Sequence, residues 1–421
     1  MDDVERQGRP WLRDVVLYLT AQSTSLFGSA VVAYAIVWYI TLKTGSAGQY
    51  VLLVIASSLA MALTTIPGGI LADRYWRKAL MIGADAGVAV ATAILAVVLL
   101  GGNESLWIIA VVLAIRGLGG GIQMPAMTAA LPQIAPAKAL MRVNSVNQAL
   151  QALIHVAAPA LAIVLLSYIP LGWILMVDVT TAAFGIIITL FIRIPRLNLP
   201  PGSPKPEGLT GYVAHVGEAV RYAWRIAGLR RTFFLLVLLM TVIIPYAQMT
   251  PIFVVRLYGS AKWMLAATEI TWSLGMVVGG VVIAAWGGLR NRMTMIMIAC
   301  FVIAAGTAVM GLMPAIWGFL VIMAVLGLSL PMLEAPAMTA IQELIPETMM
   351  GRLMGFIALV NGVGGPIGMA MIGPLADHLD LRWMALACGL LGLLVLTALV
   401  IRGGPGARLM ATSPVAVEPP A

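Results

Sequence analysis

Apolar runs of about 20 residues, broken by short polar punctuation, recur along the whole chain and lack the polar face a water-soluble helix repeats every turn. Each is long enough to cross a bilayer core of roughly 30 Å. In the first half the breakers delimit spans Leu12–Ile40, Gln49–Ala72, Ala79–Leu100, Leu106–Leu131, Val143–Ser167 and Leu171–Ile192. In the second half they delimit Phe233–Val255, Met264–Trp286, Met293–Leu312, Trp317–Ala340, Leu353–Leu375 and Trp383–Ile401. Backbone N–H and C=O groups in lipid need partners within the segment, and uninterrupted helices supply them. The pattern therefore predicts an all-α membrane protein with twelve transmembrane helices.

The halves meet where Pro195, Pro200, Pro201, Pro204 and Pro206 interrupt regular structure. The layout expected is an N-terminal six-helix bundle (1–194), a cytoplasmic linker (195–231), a C-terminal six-helix bundle (232–402) and a disordered cytoplasmic tail (403–421). Within the linker Val213, Val216, Val220 and Trp224 share one face and Glu218, Arg221 and Arg225 another. That stretch reads either as an amphipathic helix on the inner membrane surface or as an ordinary solvated connection. Internal similarity ties the halves together: Pro125-Ala-Met-Thr-Ala129 recurs as Pro336-Ala-Met-Thr-Ala340, and Gly68-Gly69 recurs at the same offset as Gly279-Gly280. A duplicated unit of six spans in one orientation predicts two pseudo-symmetric bundles related by an axis along the membrane normal, with a substrate site between them near the midplane.

Composition agrees with lipid as the solvent. Apolar residues make up 61% and charged residues 10% of the 421 positions, with a mean hydropathy of +1.00, against roughly half and a quarter in soluble domains. The net charge of +8 does not point to nucleic acid, because the cations sit in short loops rather than on one face. Arg74, Arg77, Lys78, Arg142, Arg193, Arg196, Arg230, Arg231, Arg290, Arg292 and Arg352 fall on one side, and Lys43, Arg256, Lys262 and Arg382 on the other. The positive-inside bias then puts both termini in the cytoplasm of a multi-pass protein of the inner cell membrane. Residues 1–14 mix both charge signs, and the apolar run after them is too long for a signal-peptide core, so the amino terminus is expected to be retained. Cys300 and Cys388 lie inside spans, which argues against a disulfide framework or a metal site. There is no phosphate-binding loop and no nucleophile–base pair, so neither ATP, nor another cofactor, nor an enzymatic activity is expected.

After the second span the chain reads Gly69-Ile-Leu-Ala-Asp73-Arg74-Tyr-Trp-Arg77-Lys78, which resembles the signature joining helices two and three of the major facilitator superfamily. An acid at a helix end beside several cations can latch the cytoplasmic side closed. Simple positive-inside anchoring would account for Arg74, Arg77 and Lys78 but not for Asp73. Trp76 stands where the family usually has Gly, and Ala284 occupies the duplicate of Asp73, so gating is expected to be asymmetric. The fourth span carries Arg116-Gly-Leu-Gly-Gly120-Gly121, similar to the family's arginine-and-glycine motif. Arg116 falls roughly 15 Å into the membrane, at a cost of at least about 2.5 to 3.5 kcal/mol, and so should face a cavity or pair with an acid. Ala157-Ala158-Pro159 and Gly364-Gly365-Pro366 are loosely like the family's antiporter motif. Lys43-Thr-Gly-Ser-Ala47, Met81-Ile-Gly-Ala-Asp85, Arg193-Ile-Pro195-Arg196 and Gly327-Leu-Ser-Leu-Pro331 look like the macrolide-efflux (Mef-type) branch. The resemblance implies this superfamily's fold and proton-driven export of macrolides or similar small amphipathic compounds by a monomer. A siderophore or a lysolipid is the alternative cargo.

Proton antiport needs an acid in the membrane that loads from one side and unloads to the other. The candidates are Glu334, Glu269, Asp85 and Asp178. Family architecture puts Asp85 and Asp178 on peripheral spans, as scaffold pairing residues, and Glu269 and Glu334 on spans lining the cleft. Glu334 occupies the duplicated position of Gln123, a titratable group opposite a neutral one. His155 is either a proton relay or a satisfied core histidine. The remaining substrate-cavity candidates are Asn147, Gln148, Met124, Met127, Met240, Met249 and Met332; the methionines offer either an adaptable polarizable wall or plain gap filling.

Overall fold

The computed structural model describes residues 11–195, 217, 221, 248–289, 291–344 and 364–402. In the first half it contains α1 (Trp11–Thr44), α2 (Ala47–Arg74), α3 (Arg77–Leu100), α4 (Leu106–Ile134), α5 (Ala137–Tyr168) and α6 (Leu171–Phe191). The second half contributes α7 (Thr250–Tyr258), α8 (Lys262–Trp286), α9 (Arg292–Met310), α10 (Ile316–Leu344), α11 (364–378) and α12 (Leu381–Arg402). Among the described residues ten helices are long and apolar enough to cross a membrane. Expected spans seven and eleven are described only from residues 248 and 364 onward, and Met240, Arg290, Arg352, most of the linker and the tail lie outside the described residues.

The helices outrun the apolar spans that announce them. Helix α1 continues to Thr44 rather than Ile40, and α5 starts at Ala137 rather than Val143. Hydropathy registers only the hydrocarbon-spanning part of a helix, whereas the helix itself extends into the interface, where Lys138 and Arg142 reach water. Sharp local signals set the ends. Gly45, at φ +60°, ends α1 in the left-handed region, and Ser46 then caps α2 by accepting the Gln49 N–H at 3.3 Å.

The chain divides into two compact units, one comprising Met1–Leu209 with Pro251–Ile270, the other Thr210–Thr250 with Thr271–Ala421. In the first unit α2 packs along α4, α1 along α5 and α6, and α3 along α4 and α6. Lipid offers no hydrophobic drive for helix association, so close backbone approach has to supply it. At Gly68 an added Cβ would lie 2.9 Å from Ile122 Cα. In the second unit α9 packs on α10 and α12, and a Cβ at Gly279 would lie 3.0 Å from Leu328 Cα. The repeated Gly-Gly pair thus marks the same helix crossing twice, α2 on α4 and α8 on α10.

Exposed tryptophans stand at the amino-terminal ends of α4, α6, α8, α10 and α12: Trp107, Trp173, Trp263, Trp317 and Trp383. Indole rings at helix ends of this kind favour the headgroup level of a membrane.

Candidate functional site

The deepest polar centre of the first unit is built on Arg116. Its guanidinium pairs with Asp178 on α6, donates to the Thr92 hydroxyl of α3 at 2.6 Å and reaches the Ser29 carbonyl of α1 at 3.1 Å. Asp178, fully buried, also accepts from the Ser29 hydroxyl at 2.7 Å. One arginine therefore binds α1, α3, α4 and α6 together. Of the two environments expected for Arg116, the acid is the one observed, and the hydrogen bonds that complete the pair offset its desolvation.

About 10 Å along α3 from Thr92 lies Asp85, also buried. Its partners are neutral: the Ser25 hydroxyl donates at 2.8 Å and the Gln123 amide at 2.7 Å, both to Oδ1. Gln123 and Met127 both point into the first unit, Met127 within the apolar cluster that also holds Tyr18 and Met81. Tyr18 donates to the Met127 carbonyl at 2.8 Å.

The motif at the α2–α3 corner works through backbone carbonyls. Arg77 donates to Ala72 at 3.0 Å and to Ala129 at 2.7 Å, bracing the last turns of α2 and α4. Lys78 donates to Leu190 at 2.7 Å and Ile192 at 2.9 Å, neutralising the negative end of α6. Trp76, out of place for the family, donates its indole N–H to the Ile194 carbonyl at 2.9 Å and fastens the segment after α6. Arg74 is exposed, nothing crowds Gly69, and the Asp73 side chain lies outside the described residues.

The cavity candidates separate by exposure. Gln148, His155 and Met124 are exposed, Asn147 and Met332 are half-buried, and Met249 is fully buried. On α5 the exposed Asn144, Gln148 and His155, flanked by Asn147 and Gln151, form one stripe about 16 Å long at 1.5 Å per residue. Glu334 is likewise exposed on apolar α10. Glu269 belongs to the first unit, half-buried on α8, where it takes a hydrogen bond from the Tyr34 hydroxyl with Tyr50 close by. At that end Arg256 donates to the Gly45 carbonyl at 2.9 Å and Lys262 to the Leu166 carbonyl at 2.7 Å.

Sequence reasoning passed over the first span as uniformly apolar. Gln22, Ser25 and Ser29 fall on one face of α1, three and then four residues apart, and that polar stripe was the available signal for the buried network. Tyr34 as the partner of Glu269 had no local signal.

The sequence profile of the Major Facilitator Superfamily matches residues 18–369. Macrolide efflux protein A of Streptococcus pyogenes is 29% identical over 375 residues, covering 88% of this chain and 91% of that protein. The multidrug efflux pump Tap of Mycobacterium tuberculosis is 26% identical over 415 residues, covering 96% and 95%. Among solved structures, a POT family transporter in complex with a thioalcohol-conjugated peptide superposes with a TM-score of 0.74 at 12% identity, covering 94% of this chain and 96% of that one. A bacterial homologue of the human lysosomal transporter Spinster gives 0.63 at 16% identity, covering 96% and 98%. These two likenesses concern the fold alone.

Proposed function

The chain belongs to the Major Facilitator Superfamily, and from that premise we propose that it is a secondary active exporter exchanging protons for amphipathic, macrolide-like molecules. The observation that carries this reading is the polar stripe of α5. Asn144 and Gln148 are exposed on a membrane helix, and lipid cannot satisfy their hydrogen bonds. They belong on the wall of a water-filled passage, where they offer donors and acceptors to a polar substrate rim. Met124 and Met332 are the methionines proposed to supply adaptable apolar contact to the substrate. The names of the macrolide and multidrug relatives favour a cargo of this kind.

In this proposal Glu334 and Glu269 are the coupling acids. Glu334 meets the same constraint as the α5 stripe, and Glu269 accepts a hydrogen bond from the Tyr34 hydroxyl with Tyr50 close by. Asp178 is committed to Arg116 and serves as scaffold. Asp73 with Arg74, Arg77 and Lys78 forms the cytoplasmic gate, both termini face the cytoplasm, and the bundles 1–194 and 232–402, joined by 195–231, act as a monomer.

The test is macrolide uptake into inside-out vesicles under an imposed proton gradient. Gradient-driven uptake that Glu334→Gln abolishes while binding persists is the expected result. Uptake by the intact protein that ignores the gradient would overturn proton coupling, and its absence would overturn the cargo.

A further inference from the structure

The Arg116 centre and the Asp85 centre differ in one respect that no span assignment exposes: the first acid has a cation and the second has none. Asp85 is 5% exposed, and its partners are Ser25 and Gln123, both neutral and both on Oδ1, which leaves Oδ2 without a donor among the described residues. Every charged or titratable group that faces it is engaged elsewhere. On α4, Arg116 is paired with Asp178 of α6. On α3, Lys78 is spent on the Leu190 and Ile192 carbonyls, and Tyr18 of α1 on the Met127 carbonyl.

A second observation is independent of Asp85. Gln22, 2% exposed and one turn before Ser25 on α1, has neither its Oε1 nor its Nε2 satisfied among the described residues. Its register sets it between Tyr18 and Ser25, facing the turn of α4 that carries Gln123 and Met127. A buried amide with an unused donor and an unused acceptor is costly unless something completes it. Ser25, one turn further along α1, bonds Asp85 directly, so a water held by the Gln22 amide would have a short path to that acid.

We propose that Asp85 is a proton-binding site within the first bundle, carrying its proton on Oδ2 and exchanging it with a water held by the Gln22 amide. The site is separate from Glu334 and Glu269, and only its use in coupling rests on the proton-antiport reading. A proton fits better than a metal cation. Ser25 and Gln123 present hydrogens to the carboxylate, whereas a cation such as sodium would turn their oxygens inward. Protonation also removes the net charge that a buried carboxylate without a cation would carry.

The test is pH-difference infrared spectroscopy of the purified full-length protein in lipid nanodiscs without substrate. A protonated-carboxyl C=O band that titrates, vanishes in Asp85→Asn and survives in Glu334→Gln and Glu269→Gln is the expected result. Ser25→Ala, which removes one donor and keeps the acid, should displace the midpoint of that band, and this variant decides the matter if Asp85→Asn fails to fold. A band unchanged by these variants overturns the site, and one that responds to sodium at fixed pH overturns the proton assignment. Because no substrate is present, failure of the macrolide uptake assay leaves this result intact, and the reverse also holds.

Discussion

In the register set by the two internal repeats, Asp85, Thr92, Arg116 and Asp178 of the first bundle correspond to Ile296, Ile303, Gly327 and Gly389 of the second. Ile296 and Ile303 are buried apolar side chains. A Cβ at Gly389 would come within 2.6 Å of the Ala304 carbonyl oxygen. At these equivalent positions the helices are joined differently, by hydrogen bonds and an ion pair in the first bundle and by close packing over glycine in the second, while the Gly-Gly crossing is common to both. Both are workable where lipid supplies no hydrophobic drive. The difference teaches where titratable chemistry can reside. In the second unit Glu334 stands on an exposed position, whereas the first unit encloses Asp85 and Asp178 in its interior.

The sharpest way to break this contrast is Arg116→Ala, which leaves Asp178 buried and uncompensated. A loss of about 3–5 kcal/mol is expected, read as thermal unfolding in detergent, with most of it recovered when Asp178→Leu is added. The matching change in the second bundle is Gly389→Ala, expected to cost about 1–3 kcal/mol by overpacking against α9. Gly83→Ala, where a Cβ meets nothing within 4 Å, is its control and should cause no loss in the same assay. Glu334→Gln is expected to leave the unfolding midpoint in place while gradient-driven uptake falls at least about tenfold, roughly 1.4 kcal/mol of lost coupling. The smallest effect belongs to Glu104→Gln. It removes the charge of an exposed pair with Lys43 and keeps an amide oxygen to accept from Tyr39, and a change of about 0–1 kcal/mol is expected.

The α2–α3 corner shows how a motif can be legible while its mechanism is not. The run from Gly69 to Lys78 carried the family resemblance, yet Arg77 and Lys78 spend their hydrogen bonds on the carbonyls of α2, α4 and α6. Those carbonyls are distant in sequence and carry no residue identity, so no local pattern could name them. Trp76 read as a departure, and its bond to Ile194 gives the exception a use.

The sequence by itself determined the membrane class, the helices, the duplication and the need for Arg116 to face either a cavity or an acid. Apolar length, breaker residues and the cost of a charge in lipid are properties of the chain alone. Tertiary structure decided which acid Arg116 takes, that Asp85 has neutral partners, and that Gln22, Ser25 and Ser29 turn a seemingly apolar first span into one wall of a polar core. Those outcomes depend on the rotation of each helix about its axis. Packing against neighbouring helices sets that rotation, and hydropathy does not record it.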